Sequence, residues 1–255
     1  MSEKPIIFTT DPIKAILAGR KTQTRRPLRR QPPQGFKFCG ITDDLGYPAS
    51  HDYIWAQFGF KDCNDPLCYK CTYGRPGDRL WVREPWRVSS GSNYFTSDYK
   101  KLWVEYRAGW RRGFKQQITI SRVDSDIAMK ALGQHKPGPW RPSIYMPRWT
   151  SRITLEITDV RIERVQNISA VDTANEGMFN DGKCWQNGDG VAYNTGEQAF
   201  QALWDSIYAS RGFSWNVNPW VWVICFKIAE QKTVYSTLNV NETNTPDKTQ
   251  TRLLP

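Results

Sequence analysis

The chain has 255 residues, enough for one large domain or two small ones with ample core, and its formal net charge of +10 favours a polyanionic partner. No stretch approaches the ~18 apolar residues of a membrane-spanning helix, and Met1 to Pro5 lead straight into a strand-like Ile6-Ile7-Phe8 without a signal-peptide pattern. A cytoplasmic protein with reduced thiols and no membrane partner is therefore expected.

Asp11 to Ala18 carry helix signals, with Asp11 suited to the N-cap, Pro12 to the first helical position and Gly19 to a left-handed stop. Ile13, Ile16 and Leu17 fall at i, i+3 and i+4 and give one apolar face. The chain leaves this helix through Gly19-Arg20-Lys21-Thr22-Gln23-Thr24-Arg25-Arg26. In an extended chain, alternate residues share a side roughly 6–7 Å apart. Lys21 and Thr24 are an odd number of residues apart, so they share a side only if the chain turns or bulges between them. A solvated basic turn is the plainer reading of this stretch.

Residues 27–73 hold five prolines and no sustained periodicity, which marks an insertion. Within it Cys39, Cys63, Cys68 and Cys71 are candidate ligands of a structural zinc, with His51 as a substitute. Two thiolates at C-x-x-C spacing, Cys68 and Cys71, would make half of a tetrahedral site, whereas ordinary apolar packing is the other reading of the same cysteines. Pro76-Gly77-Asp78 then predicts a tight turn, and Arg79 to Glu84 alternate as a half-buried strand. Residues 88–139 form a second expected insertion, with a strand at Leu102 to Arg107 and a basic, aromatic Trp110-Arg111-Arg112. Trp140 to Trp149 repeat Pro, Trp and Arg within ten residues. There Arg141, Arg148 and Arg152 could reach phosphates while Tyr145 or Trp149 stacks on a base.

Ile153, Leu155 and Ile157 alternate with polar residues, and the phase slips at Thr158-Asp159, where a bulge is expected. Ser169 to Asp172 open a short helix that ends at Gly177, which puts Glu176 in its last turn. There the negative end of the helix dipole disfavours the ionised carboxylate. Thr195 starts a helix whose Phe200, Leu203, Trp204 and Ile207 read as core rather than as a binding surface, and Arg211-Gly212 end it. Trp220 to Ile228 are apolar on nearly both faces, as a central strand would be, and residues 229–255 read as a disordered polar tail.

Four blocks, in this order, resemble the ASCH family of small β-barrels related to RNA-binding PUA domains. They are Gly19 to Arg26, Pro76 to Val82, Ala174 to Gly177 and the closing strand Trp220 to Ile228. The chain is most similar to the larger ASCH proteins of phages and prophages. The resemblance implies an α+β, mainly β fold: a PUA-like, mostly antiparallel barrel over residues 1–228 with three short helices and two insertions. In the small ASCH amidohydrolases that deacetylate N4-acetylcytidine, the motif Lys accepts a proton, the second Thr is the nucleophile and a Glu donates a proton. Carried over, these roles fall on Lys21, Thr24 and Glu176. Arg26 would hold substrate, with Arg20 and Arg25 as further nucleic-acid contacts.

No cofactor is required for that chemistry. The implied partner is nucleic acid, RNA in preference to DNA, or a modified nucleoside, in the host cytoplasm if the chain is phage-encoded. A non-catalytic RNA- or DNA-binding module and a phage interaction or assembly protein remain as alternatives, because this chain is more than twice as long as the small enzymes.

Overall fold

Two long strands, Ile153–Arg164 and Trp220–Gln231, form the backbone of the molecule because each offers apolar residues to one buried face over most of its length. In the computed structural model, which describes residues 2–43, 54–59, 67–89, 94–95, 99–112, 114–121, 138–232 and 235–236, they pair antiparallel as β11 and β14. Their register shifts between Ile157 and Asp159, where the sequence loses phase, and again between Thr154 and Leu155. Such bulges bend and twist a sheet. The five-stranded sheet runs β1 (Glu3–Ile7), β6 (Arg79–Arg83), β11, β14 and β2 (Gln23–Pro27). Its one parallel pair is β1 with β6.

The class is α+β and mainly β, but among the described residues the sheet does not close into the expected barrel. Its edge strands β1 and β2 share no ladder, and the path ends on both. The Arg26 side chain spans them instead, Nη2 donating to the Ile7 carbonyl at 2.6 Å.

Among the described residues three α-helices complete this unit: α1 (Thr10–Leu17), α2 (Ala170–Asn175) and α3 (Gly196–Tyr208). Helix α1 begins one residue before Asp11. Thr9 holds the N-cap position, and Asp11 pairs with Lys14 at 2.8 Å inside the first turn. Gly19 takes the expected left-handed conformation at φ 70°. At α2 the capping box is complete, with the Ser169 hydroxyl accepting from the Asp172 amide and the Asp172 carboxylate accepting from the Ser169 amide. The Thr195 hydroxyl caps α3 by accepting from the Gln198 amide. Helix α1, with Ile13 and Ile16, packs into the core that holds Leu155, Ile157, Trp222 and Ile224. Helix α3 covers the other face of β14, where Val221 and Val223 meet Phe200, Trp204 and Trp215. This is why β14 is apolar on both sides.

Both insertions carry sheets. The first contains β3 (Lys37–Thr42), β4 (Trp55–Gly59) and β5 (Leu67–Lys70), an antiparallel three-stranded unit. Ala56 and Phe58 anchor it in the main core, and Phe58 meets Trp220 edge-on at 5.0 Å. Its strands are too short for periodicity to reveal them. The second insertion contributes β8 (Tyr94–Phe95), β9 (Tyr99–Tyr106) and β10 (Phe114–Ser121), and β9 pairs with β7 (Trp86–Val88) at the insertion's start. Two strand segments fall in the stretch expected to be a disordered tail. Strand β14 runs to Gln231, and β15 (Tyr235–Ser236) pairs with β10.

Candidate active site

Helix α1 delivers Lys21 through a tightly hydrogen-bonded exit. The amides of Arg20 and Lys21 both donate to the Ala15 carbonyl, at 2.9 and 3.1 Å. The Thr22 amide then donates to the Asn175 carbonyl at 2.8 Å, while the Thr22 carbonyl accepts from the Phe226 amide at 2.8 Å. Lys21 thus forms an isolated bridge with Glu176 at the end of α2, and from Gln23 onward the chain pairs with β14. This change of partner at Thr22 resolves the odd spacing. Lys21 and Thr24 both reach one cavity, and Thr22 is exposed.

Gly177 permits the approach of α2. At φ +99°, a Cβ there would lie 3.0 Å from the Ala15 Cβ and 3.3 Å from the Lys21 Cβ. Both Lys21 and Glu176 are buried, each 4% exposed. Lys21 Nζ donates to Glu176 Oε2 at 2.6 Å and to the Glu176 carbonyl at 2.7 Å. Burial pushes the Lys21 ammonium below its ordinary range, against the pull of the Glu176 carboxylate. The position of Glu176 at the end of a short helix is as expected, since it is the C-cap residue of α2.

Behind this pair lies a second layer of charge. Arg25 is wholly buried, with Nη1 3.4 Å from Glu176 Oε1 and Nη2 2.9 Å from Glu163 and 3.1 Å from Asp172. Arg161 Nη2 meets the other oxygen of Asp172 at 2.8 Å. Burial works to raise the Asp172 carboxyl, but the Arg25 and Arg161 guanidiniums hold it down at about 2. Lys21, Arg25 and Arg161 thus face Glu176, Glu163 and Asp172, which balances the buried charge.

Thr24 and Arg26 alternate onto the opposite face of β2 from Arg25, since they pair with Ile224 and Trp222 of the inner core. They open on a cavity of about 670 Å³ bounded by the β1 edge, β2 and α3. Among the described residues no hydrogen bond engages the Thr24 hydroxyl, although Thr24 is 4% exposed. Arg26 Nη1 donates to the Tyr208 hydroxyl at 3.1 Å, and its guanidinium lies over the Phe8 ring at 5.1 Å. Phe8, Tyr73, Phe200, Trp204 and Tyr208 supply aromatic walls. The α3 stripe is therefore both core and cavity lining, a correction to its reading as core alone. Its inner residues Phe200 and Trp204 are buried, while Leu203 and Ile207 reach the cavity as half-buried side chains.

The other candidate residues are not brought to this cavity. Arg20 is exposed, donates to the Gly177 carbonyl at 3.2 Å and lies over Phe179. Arg141 forms a backbone bridge to Trp86 and sits over its ring at 5.5 Å, and Trp149 meets that ring edge-on at 6.3 Å. Arg148 pairs with Glu3 at 2.9 Å. Arg152 is buried in a two-bond contact with Glu84, at 2.8 and 2.9 Å. Tyr145 is 64% exposed and has no ring partner among the described residues.

Of the zinc candidates, Cys63 and His51 lie outside the described residues. Cys39 and Cys68 are exposed, while Cys71 is buried in the apolar core, where desolvation pushes its thiol up to about 11. Cys68 lies on β5 and Cys71 just beyond its end, so the C-x-x-C pair points to opposite sides of the strand. No group of three candidate ligands converges among the described residues.

Sequence reasoning missed Phe8, Tyr208 and the Glu163–Asp172–Arg161 layer. Tyr208 follows Trp204 at i+4 on α3, and that spacing was the one signal for it in the sequence. The chain matches no protein-family model, no curated protein and no solved structure.

Proposed function

We propose that this cavity hydrolyses an amide on an acylated nucleobase such as N4-acetylcytidine, on an ASCH scaffold of the PUA-like kind. The observation that carries the reading is the buried 2.6 Å contact between Lys21 and Glu176 on the wall of the cavity that Thr24 also lines. A proton moved along that contact turns the ion pair into a free amine and a carboxylic acid. Burial favours the free-amine form of Lys21.

The amine takes the Thr24 hydroxyl proton as Oγ1 attacks the acyl carbon. The Glu176 carboxyl gives its proton to the leaving exocyclic nitrogen as the C–N bond breaks, leaving an acyl ester on Thr24. Water then adds to the ester and yields its proton to Glu176. Lys21 returns its own proton to Thr24 Oγ1 as the acid leaves. The sum is amide plus water giving acid plus amine. Arg26, anchored on Tyr208 and Ile7, holds the base or its acyl oxygen, while Phe8, Tyr73 and Trp204 form apolar walls for the ring.

The test is cytidine release from N4-acetylcytidine, followed by chromatography. Wild-type protein releases cytidine, whereas Lys21→Ala and Thr24→Ala do not. No release by folded wild type overturns the reaction, and release by Thr24→Ala overturns its nucleophile.

A non-catalytic nucleic-acid-binding module is the second reading. It draws on the exposed Arg29, which lines the cavity, and on Arg30 just beyond it, and it predicts salt-dependent binding without turnover.

A further inference from the structure

Beside the first cavity lies a second, of about 540 Å³, between the segment that leaves β2 and the strand β5. Both volumes fall within the ~300–1,000 Å³ range of ligand sites. Pro27, Arg29, Thr72 and Tyr73 line both cavities, so the two adjoin across a shared wall.

Arg29, Arg30 and Lys70 line the second cavity, and none of its described lining residues is acidic. Elsewhere Arg25, Arg148, Arg152 and Arg161 are held by carboxylates, whereas Arg20, Arg26 and Arg141 contact carbonyls, a hydroxyl or rings. Arg29 and Arg30 are exposed and form no ion pair among the described residues. Trp55, Tyr69 and Tyr73 supply half-buried rings to the same groove, with Lys70 Nζ 5.8 Å from the Trp55 ring centre.

Cations on a trough with aromatic faces match a ligand that alternates negative charge with flat rings, and single-stranded nucleic acid has that repeat. An acidic peptide would satisfy the cations but carries no flat ring to lay against these side chains. We propose that this groove binds the nucleotides flanking the base held in the first cavity, so that a single-stranded oligonucleotide is a better substrate than the free nucleoside. Arg29 and Arg30 take phosphates, and Trp55, Tyr69 or Tyr73 stacks on a neighbouring base. The β3–β5 insertion is what builds this groove, since β5 forms one of its sides. The proposal extends the hydrolase reading to a longer substrate, but binding tests it without turnover.

The experiment measures the affinity of the full chain for a fluorescein-labelled ten-nucleotide oligocytidylate RNA by anisotropy, from 50 to 400 mM salt. Wild type binds with a steep salt dependence. The Arg29→Ala/Arg30→Ala double variant binds about tenfold or more weakly at low salt, and its log–log slope is shallower by about 1.4, or ~0.7 per lost phosphate contact on a single strand. Arg148→Ala, whose guanidinium pairs with Glu3, leaves affinity and slope at wild-type values. An oligoglutamate decamer competes at least about tenfold more weakly than unlabelled RNA, because it lacks rings to stack.

Absent binding at 50 mM salt, equal slopes for wild type and double variant, an equal loss in Arg148→Ala, or equal competition by oligoglutamate would each overturn the groove. Both substituted arginines are exposed, and matching melting curves establish that the double variant is folded. Oligonucleotide binding by a wild type that releases no cytidine leaves the groove standing and removes the hydrolase reading. Release from the nucleoside without oligonucleotide binding does the reverse.

Discussion

Arg152 and Lys21 are each a buried cation facing a buried glutamate, and they differ in what surrounds the pair. Arg152 makes parallel contacts at 2.8 and 2.9 Å to the two oxygens of Glu84 and stacks on Tyr106 at 4.3 Å. A guanidinium keeps its proton at any working pH, so this pair can hold structure but cannot exchange protons. Lys21 meets one oxygen of Glu176, its charge is weakened by burial, and it lines a cavity beside an unengaged hydroxyl. The lesson is that burial of a charge pair says little by itself. The number of oxygens engaged, the ability of the cation to lose a proton and access to open space separate a brace from a reactive centre.

The sharpest way to break this comparison is to truncate both cations. Arg152→Met leaves Glu84 buried and uncompensated, and urea unfolding is expected to show a loss of about 3–5 kcal/mol. Lys21→Met costs less, since Arg25 stays 3.4 Å from Glu176, yet it lowers turnover by about 10²–10⁴-fold. Equal stability losses in the two variants would erase the distinction.

Acid titration probes the layer behind Lys21. The Asp172 carboxyl sits at about 2 against an ordinary 3.8, so the stability it contributes is complete above pH 3.8 and is lost as pH falls towards 2. Between those limits wild type should lose about 2 kcal/mol more than Asp172→Asn. Parallel pH curves would mean that the Arg25 and Arg161 contacts do not hold the ionised form.

A smaller effect is expected at Gly177. Alanine there must adopt φ near +99° and crowd Ala15 and Lys21, with a backbone cost of about 1–2 kcal/mol. Melting should fall accordingly, and turnover should fall beyond what the melting shift explains, because the added methyl pushes Lys21 from Glu176. Turnover unchanged in a destabilised protein would show that the spacing of that pair is unimportant.

Several features follow from local sequence. The stop at Gly19, the Ser169 and Thr195 caps, and the phase slip at Thr158-Asp159 each depend on neighbours within a few residues, and each is present. The order of short motifs likewise brought Lys21, Thr24 and Glu176 together as candidates before any packing was known. In the fold the three residues line one cavity.

Packing decided the rest. Arg141, Arg148 and Arg152 sit in one Pro- and Trp-rich stretch, and nothing near them in sequence says that Arg148 will meet Glu3 or that Arg152 will meet Glu84. The same holds for Cys68 and Cys71, of which packing places one at the surface and the other in the core. Sequence by itself determined where helices stop, where strands bulge and which residue types lie at the exit of α1, because those depend on backbone geometry and hydrogen bonds over a few residues. Tertiary structure alone decided which cations are neutralised and which face open space, because Lys21 and Glu176 are 155 positions apart and only the folded sheet brings such partners within reach.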